Sequence, residues 1–480
     1  MVGGSDADRH RFHNLDSSNS TTWLPDLLWD GNAFRSDLAL ESGEAGSVAR
    51  IASATDVENA IRLKSRAILP GLVNAHSHAF QRVIRGRTEH RTANQHDSFW
   101  TWREMMYSAA LRLTPEDVYD ASRMAFLEMA LSGVTAVGEF HYLHHAPDGS
   151  PYNDPNLLAK QVVRAANDVG LRIALLRVAY ARAGFETLAN PQQLRFIETS
   201  PDVYLRNLDQ LAGELKAADK MAWTGVAPHS VRAVPLNYLK KVIEAANARG
   251  LPVHMHVAEQ PAEVSACIEE YGRSPVALLS TEGLLSERFT AVHAIHVTPK
   301  AIRQLADARA IVCACPTTER NLGDGIVPAD KLFAENVRVS LGSDSHVQID
   351  LFEDARALEY QLRLQRMERV VLANAADAGP AALAARLFEC ATVNGAQSIG
   401  APGGALEQGR PADFFTVDLD DPSIAGASVE DLLAAIVFSA SRVAIKDVWV
   451  GGKQIVAEGR HADQEEIVIR FRDLQRKLWS

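Results

Sequence analysis

An alternation of two kinds of segment constrains the fold of this chain more than any other feature. Short β-branched or apolar runs ending in polar residues recur at Ala67–His78, Thr135–Leu143, Arg172–Tyr180, Thr224–Val231, Pro252–Glu259, Thr290–Val297, Ala310–Thr318 and Arg338–His346. Between them lie stretches with apolar residues at helical spacing, among them Thr114–Ser132, Leu157–Val169, Leu236–Ala248, Ala262–Leu279 and Asp354–Ala373. Thr114-Pro115-Glu116-Asp117 carries the capping signal of a helix start, and Gly272 and Pro275 predict a break in the fourth stretch. Strands and helices in this order predict an α/β protein built on a (β/α)8 TIM-like barrel. A chain of 480 residues leaves room for that barrel and one smaller domain.

The barrel is expected over residues 69–399, with a C-terminal helix over 466–480. Residues 21–68 and 400–465 differ: they carry short strand-like pieces such as Asp413–Asp418 and Val448–Lys453, separated by Gly, Pro and Asp turns. Composition marks both flanks as β-rich; their pairing into one small domain rests partly on the resemblance described below. Residues 1–20 are polar, lack the apolar core of a signal peptide and read as a disordered leader. Apolar runs such as Leu432–Phe438 fall far short of the ~20 residues of a membrane span, so the expectation is a soluble cytoplasmic protein with no membrane partner. With 49 Lys and Arg against 60 Asp and Glu the net charge is −11, which argues against nucleic acid as a partner. Four scattered cysteines make no disulfide framework, and Cys313 and Cys315 read as small buried residues rather than a zinc knuckle.

Several of the sixteen histidines fall at the C-terminal ends of expected barrel strands, where barrel enzymes carry their sites. Strand one ends Asn74-Ala75-His76-Ser77-His78, and residues two apart share a face, so both imidazoles can point at one spot. Strand five ends His254-Met255-His256-Val257-Ala258-Glu259, adding two inward candidates and a carboxylate. His293 and His296 on strand six lie on opposite faces of a regular strand, so one of them is structural. Strand eight ends Gly342-Ser343-Asp344-Ser345-His346, and a buried Asp there needs a partner. Three imidazoles and a carboxylate from strands one, five and eight suit a catalytic Zn²⁺ with one position open to water.

Through Pro70-Gly71-Leu72-Val73-Asn74-Ala75-His76-Ser77-His78, His256-x-x-Glu259, His293 and Gly342-Ser343-Asp344, the chain resembles the amidohydrolase superfamily of metal-dependent barrel hydrolases. The resemblance implies His76, His78, His256 and Asp344 as metal ligands, with His254 a neighbour, and Glu259 and His293 acting on substrate and water. It also implies one small β-sandwich domain from both chain ends, a feature that Gly409-Arg410-Pro411-Ala412-Asp413-Phe414 resembles. Binuclear members bridge two metals with a Lys at the end of strand four. Here that strand ends Val226-Ala227-Pro228-His229-Ser230-Val231-Arg232, so one metal per subunit is expected, Zn²⁺ first, with Fe²⁺ or Mn²⁺ compatible with the same donors.

Within the superfamily, His78-Ala79-Phe80-Gln81-Arg82, Glu139-Phe140-His141-Tyr142-Leu143-His144-His145, Ala227-Pro228-His229-Ser230-Val231-Arg232 and His254-Met255-His256-Val257-Ala258-Glu259-Gln260 resemble the formimidoylglutamate deiminases, over roughly residues 24–465. That family converts N-formimidoyl-L-glutamate and water into N-formyl-L-glutamate and ammonia in histidine degradation. Carried over, its substrate contacts are Gln81, Arg103, Tyr142, His229 and Arg232, its proton-handling groups are Glu259, His293 and Asp344, and its assembly is a homodimer. Charge supplies an independent check. A small dicarboxylate substrate calls for guanidinium forks, and Arg103 and Arg232 supply two candidates, each otherwise one cation among many. Two alternatives are a nucleobase or adenosyl-type deaminase of the guanine, cytosine or S-adenosylhomocysteine class, and a catalytically inactive binding module. His90, His96, His144, His145 and His346 receive no role beyond surface or supporting positions; orienting Asp344 is open to His346 but is not fixed by the sequence.

Overall fold

A computed structural model describes residues 20–480 apart from 44–45, 92–98, 188–189, 219–220 and 374–378; the expected leader lies outside it up to residue 19. Eight parallel strands form one sheet: β1 (Leu72–Ser77), β2 (Val134–His141), β3 (Arg172–Ala179), β4 (Ala222–Pro228), β5 (Val253–Val257), β6 (Phe289–His293), β7 (Ile311–Ala314) and β8 (Arg338–Leu341). They pair in sequence order, and a parallel bridge between Ser77 and Asp344 brings β8 back to β1. Every residue of β1, β2 and β3 is buried, as strands with side chains packed inside and helices outside must be. The expected (β/α)8 barrel is the observed one.

Three expected strands are corrected. Ala67–His78 is two strands: Ile61–Pro70, which belongs to a second sheet, and β1. Gly71 sits between them so close to β2 that a Cβ would lie 2.2 Å from Thr135 Oγ1. Strand seven, expected to Thr318, stops at Ala314, because Pro316 opens a helix over Pro316–Leu322 where its missing N–H costs nothing. Strand eight stops at Leu341. Among the helices, Pro115–Leu131 starts at Thr114 with both halves of a capping box formed. The stretch Ala262–Leu279 breaks as expected into Pro261–Tyr271 and Pro275–Thr281. The stretch Asp354–Ala373 is instead a helix over Leu351–Arg366, capped by the Asp350 side chain and ended by Met367 at φ 58°.

A short helix, Val393–Ile399, closes the N-terminal end of the barrel. Trp223 donates to the Ile399 carbonyl at 2.7 Å, Asn394 to the Val339 carbonyl at 3.1 Å, and His254 Nε2 bonds the Ser398 carbonyl at 2.9 Å. With that end plugged, the opposite end carries the opening.

Both chain ends build the second, mixed sheet. Ile61–Pro70 pairs antiparallel with Phe414–Asp418, Leu69 opposite Phe415, and so joins the N-terminal strands to the C-terminal ones. It holds its own core, in which Trp23 packs edge-on against Phe414 at 5.0 Å and Phe414 stacks on Trp449 at 4.6 Å. A buried ion pair, Arg172 Nε to Asp413 Oδ2 at 2.7 Å, ties the start of β3 to this sheet. The last helix, Gln464–Trp479, lies along Pro115–Leu131 through Lys477–Asp117 and Arg470–Glu116 pairs, both at 2.6 Å. Among the described residues no helix is long and apolar enough to cross a membrane, and the four cysteines are buried and unpaired.

Candidate metal and substrate site

His76, His78, His256 and Asp344 converge at the C-terminal end of the barrel, with one ligand atom of each within 4.8 Å of the others. Strand alternation turns His76 and His78 to the same side, and their Nε2 atoms stand 3.5 and 3.2 Å from Asp344 Oδ1. Asp344 is held at the seam that closes the barrel. Its N–H donates to the His76 carbonyl at 3.0 Å, and its carbonyl accepts from the His78 N–H at 3.1 Å. The far nitrogens of two ligands are fixed by backbone: His78 Nδ1 to the Phe140 carbonyl at 3.0 Å, and His256 Nδ1 to the His229 carbonyl at 3.1 Å. Each ring is thereby held in the tautomer that leaves Nε2 a lone pair. Burial, reinforced for His256 by neighbouring imidazoles, pulls His76 down to about 3 and His256 well below the usual range, so both are neutral. Imidazole lone pairs turned toward a carboxylate fit a divalent cation by donor type and charge.

Beside this set stand Glu259 and His293, Oε1 to Nε2 3.8 Å, with His293 Nε2 also 3.7 Å from Asp344 Oδ2. Burial raises Glu259 to about 7 against the opposing pull of His293. His293 shows the reverse balance: burial opposes its charge, but Glu259, Glu319 and Asp344 outweigh burial and hold it well above its usual range. Glu319, absent from the sequence reading, is fully buried and accepts from His293 Nδ1 at 3.1 Å and from the Cys315 N–H at 2.8 Å. The Cys315-Pro316 step, read as strand, is in fact a helix start, and it is the helix Pro316–Leu322 that carries Glu319. His293 and Asp344 occupy the left-handed backbone region, φ 69° and 47°, strain of the kind that concentrates at functional sites.

Outside the metal set opens a cleft with about 540 Å³ of atom-free space that reaches solvent. Gln81, Arg103, Tyr142, His229, Arg232 and Glu259 line it together with His78, His256 and Asp344. Gln81 donates to the Tyr142 hydroxyl at 2.7 Å, while its own Oε1 is buried without a partner among the described residues. Arg103, in the helix Phe99–Ala110, lies over the rings of Trp100 and Tyr107 at 4.3 and 5.4 Å. Arg232 donates to the Ala183 carbonyl at 3.2 Å and contacts the Tyr180 hydroxyl. Neither guanidinium forms an ion pair with a carboxylate among the described residues. Tyr107, Tyr180 and Phe196 complete the wall; Tyr180 ends the third expected strand, a position that the strand-end rule singles out.

The remaining histidines lie elsewhere. His254 is buried beneath the site on the Ser398 carbonyl, and His296 bonds the Asp324 carbonyl at 2.9 Å. His144 and His145 bond the carbonyls of Val178 and Ile197, and His90 is exposed; His96 is outside the described residues. His346, open on sequence between a surface and a supporting place, is a buried supporting residue. Its two nitrogens meet Ser77 Oγ and Ser343 Oγ, both at 3.1 Å, so it braces the chain on either side of the β1–β8 seam.

Comparison with known proteins adds lineage to this geometry. The chain is 40% identical over 436 residues to formimidoylglutamate deiminase of Pseudomonas aeruginosa, covering 91% of this chain and 94% of that protein. It is 28% identical over 425 residues to 5-methylthioadenosine/S-adenosylhomocysteine deaminase of Syntrophomonas wolfei, covering 86% and 88%. The crystal structure of an amidohydrolase from Brucella melitensis superposes with a TM-score of 0.88 at 34% identity, over 96% of this chain and all of that one. The model of the Amidohydrolase family matches residues 67–455, from within the strand Ile61–Pro70 through the whole barrel and site. With that match, the chain, a hydrolase acting on C–N bonds, belongs to the amidohydrolase family.

Proposed function

We propose that the protein hydrolyses N-formimidoyl-L-glutamate to N-formyl-L-glutamate and ammonia, a deimination in histidine degradation. One observation carries the reading: two guanidiniums, Arg103 and Arg232, line the same cleft as the His₃Asp set and have no carboxylate partner among the described residues. Half-buried guanidiniums at a cleft wall, held in no ion pair among these residues, are free to fork onto anions, and a dicarboxylate substrate supplies two. The likeness to the Pseudomonas aeruginosa deiminase supports the same substrate.

In this reading His76, His78, His256 and Asp344 hold one Zn²⁺, with Fe²⁺ or Mn²⁺ satisfying the same donors. A cation bound there supplies the Lewis acidity that makes water nucleophilic near neutral pH. Asp344 accepts a proton from the attacking water. Glu259, near 7, is present in both protonation states at neutral pH and passes a proton to the departing nitrogen. His293, kept cationic by its carboxylate neighbours, donates from Nε2 toward the oxygen being added. Gln81 Oε1 offers an unused acceptor to a substrate N–H, and Tyr142 and His229 shape the same wall. Carbon–nitrogen cleavage then releases ammonia and leaves the formyl group on glutamate. The resemblance also carries a cytoplasmic homodimer, which size-exclusion chromatography of the purified protein checks.

The test is ammonia release from N-formimidoyl-L-glutamate, run beside guanine, cytosine, adenosine and S-adenosylhomocysteine, with Arg232→Met as control. The expected result is turnover of the glutamate compound alone, with kcat/KM reduced about 10- to 100-fold in the variant, the loss of a charge-assisted bond. Deamination of a nucleobase or S-adenosylhomocysteine instead, the activity named for the Syntrophomonas wolfei relative, overturns the substrate and leaves the family.

A further inference from the structure

Gln193 stands behind the cleft wall, buried, and donates its side-chain amide to two tyrosine hydroxyls, Tyr107 at 2.9 Å and Tyr180 at 2.6 Å. An amide nitrogen carries two protons and accepts nothing, so both phenol oxygens are acceptors here and their own protons point elsewhere. The Tyr180 hydroxyl is also in hydrogen-bond contact with Arg232, a pure donor, and with Tyr107. A bond between the two hydroxyls uses one phenol proton at most. At least one O–H is therefore left with no acceptor among the described residues, and both rings line the cleft beside Arg103 and Arg232.

We propose that Tyr107 and Tyr180 are substrate-binding residues whose hydroxyl protons complete the carboxylate pocket begun by Arg103 and Arg232, with Gln193 as the positioning residue that keeps those protons turned toward the cleft. The inference rests on the dicarboxylate reading above and names who else grips the anion. Burial and the neighbouring Tyr180 push the Tyr107 phenol above its ordinary range, which favours the proton-bearing donor form. A part of the wall where Arg103, Arg232 and a tyrosine O–H all donate accepts a carboxylate and discriminates against ligands without one, because an unmet O–H or N–H is then left unpaired.

Tyr107→Phe and Tyr180→Phe remove one oxygen each and the double variant both, and all three keep the rings. For the double variant the expected result is a KM for N-formimidoyl-L-glutamate raised about tenfold or more, with kcat within about threefold of wild type. Competitive inhibition by glutarate is expected to weaken by a similar factor. Loss of packing alone does not produce that split. A double variant with wild-type KM and wild-type glutarate inhibition overturns the proposal, while turnover by the wild-type enzyme still upholds the deiminase reading. A wild-type enzyme that neither turns over the compound nor binds glutarate overturns both. Should the double variant fail to fold, Gln193→Leu, which leaves both hydroxyls in place, is expected to raise KM alone, and an unchanged KM overturns the positioning role.

Discussion

Glu259 and His293 follow neighbouring strands and meet across 3.8 Å, beside a candidate metal set to which neither belongs. Separating binding from chemistry is therefore possible at a single residue. Glu259→Gln is expected to lower kcat by about 10²–10⁴, the usual worth of a positioned general acid/base, with metal content by elemental analysis unchanged. Loss of metal in that variant would move Glu259 from proton transfer to ligation. The residue scale is also where the sequence was most legible. His76, His78, His256 and Asp344 stand at strand ends, and strand alternation alone turns side chains two apart to one side. Glu319 was not legible, because its importance lies in the buried Nδ1 of His293 it meets 26 positions earlier in the chain.

Between elements, the decisive contact is the close approach of β8 to β1. A Cβ on Gly342 would lie 2.7 Å from His76 Cβ and 2.9 Å from the His76 carbonyl, against the backbone that carries a metal ligand. Gly342→Ala is expected to push the two strands apart and weaken metal affinity about tenfold or more, measured by competition with a chelator, on the scale seen when groups supporting a ligand are lost. Unaltered affinity would mean that the seam has slack. The glycine was visible in Gly342-Ser343-Asp344, but its reason was not, since the atoms it must avoid belong to a strand about 270 residues away, as the Asn74–Ser343 and Ser77–His346 bonds record. Local signals did better where the physics is local. The Thr114 capping box and the Gly272–Pro275 break depend on neighbours in sequence and appear as read.

At the scale of the whole molecule, stability rests on buried charges that must stay paired. Asp413 joins the second sheet to Arg172 of the barrel and also accepts the Gly451 N–H at 2.6 Å. Asp413→Asn leaves a buried guanidinium without its counter-charge and is expected to cost about 3–5 kcal/mol, read as a lower urea midpoint. Glu198 offers a test by pH. Burial opposes its charge, but His144 and Arg177 outweigh burial and hold it at about 2; Arg177 dominates, since His144 is itself kept neutral. A depressed carboxyl stabilises the fold fully above its unfolded value of about 4.3, and that contribution disappears as pH falls toward 2. The stability gap between wild type and Glu198→Gln should therefore be flat above about pH 5 and close below about pH 4 in denaturation curves. A gap independent of pH would assign Glu198 a packing role. What the sequence by itself determined was periodic: eight alternating runs, the face each strand-end histidine shares, the helix caps, and the absence of a Lys at the end of β4. What only the tertiary structure decided was which distant groups meet: the Tyr107–Gln193–Tyr180 wall, the Glu319 brace, and the placing of Arg103 and Arg232 in one cleft without an ion pair among the described residues. Periodicity follows from bond geometry repeated along the chain, whereas these contacts follow from barrel closure, which brings together side chains that share no local pattern.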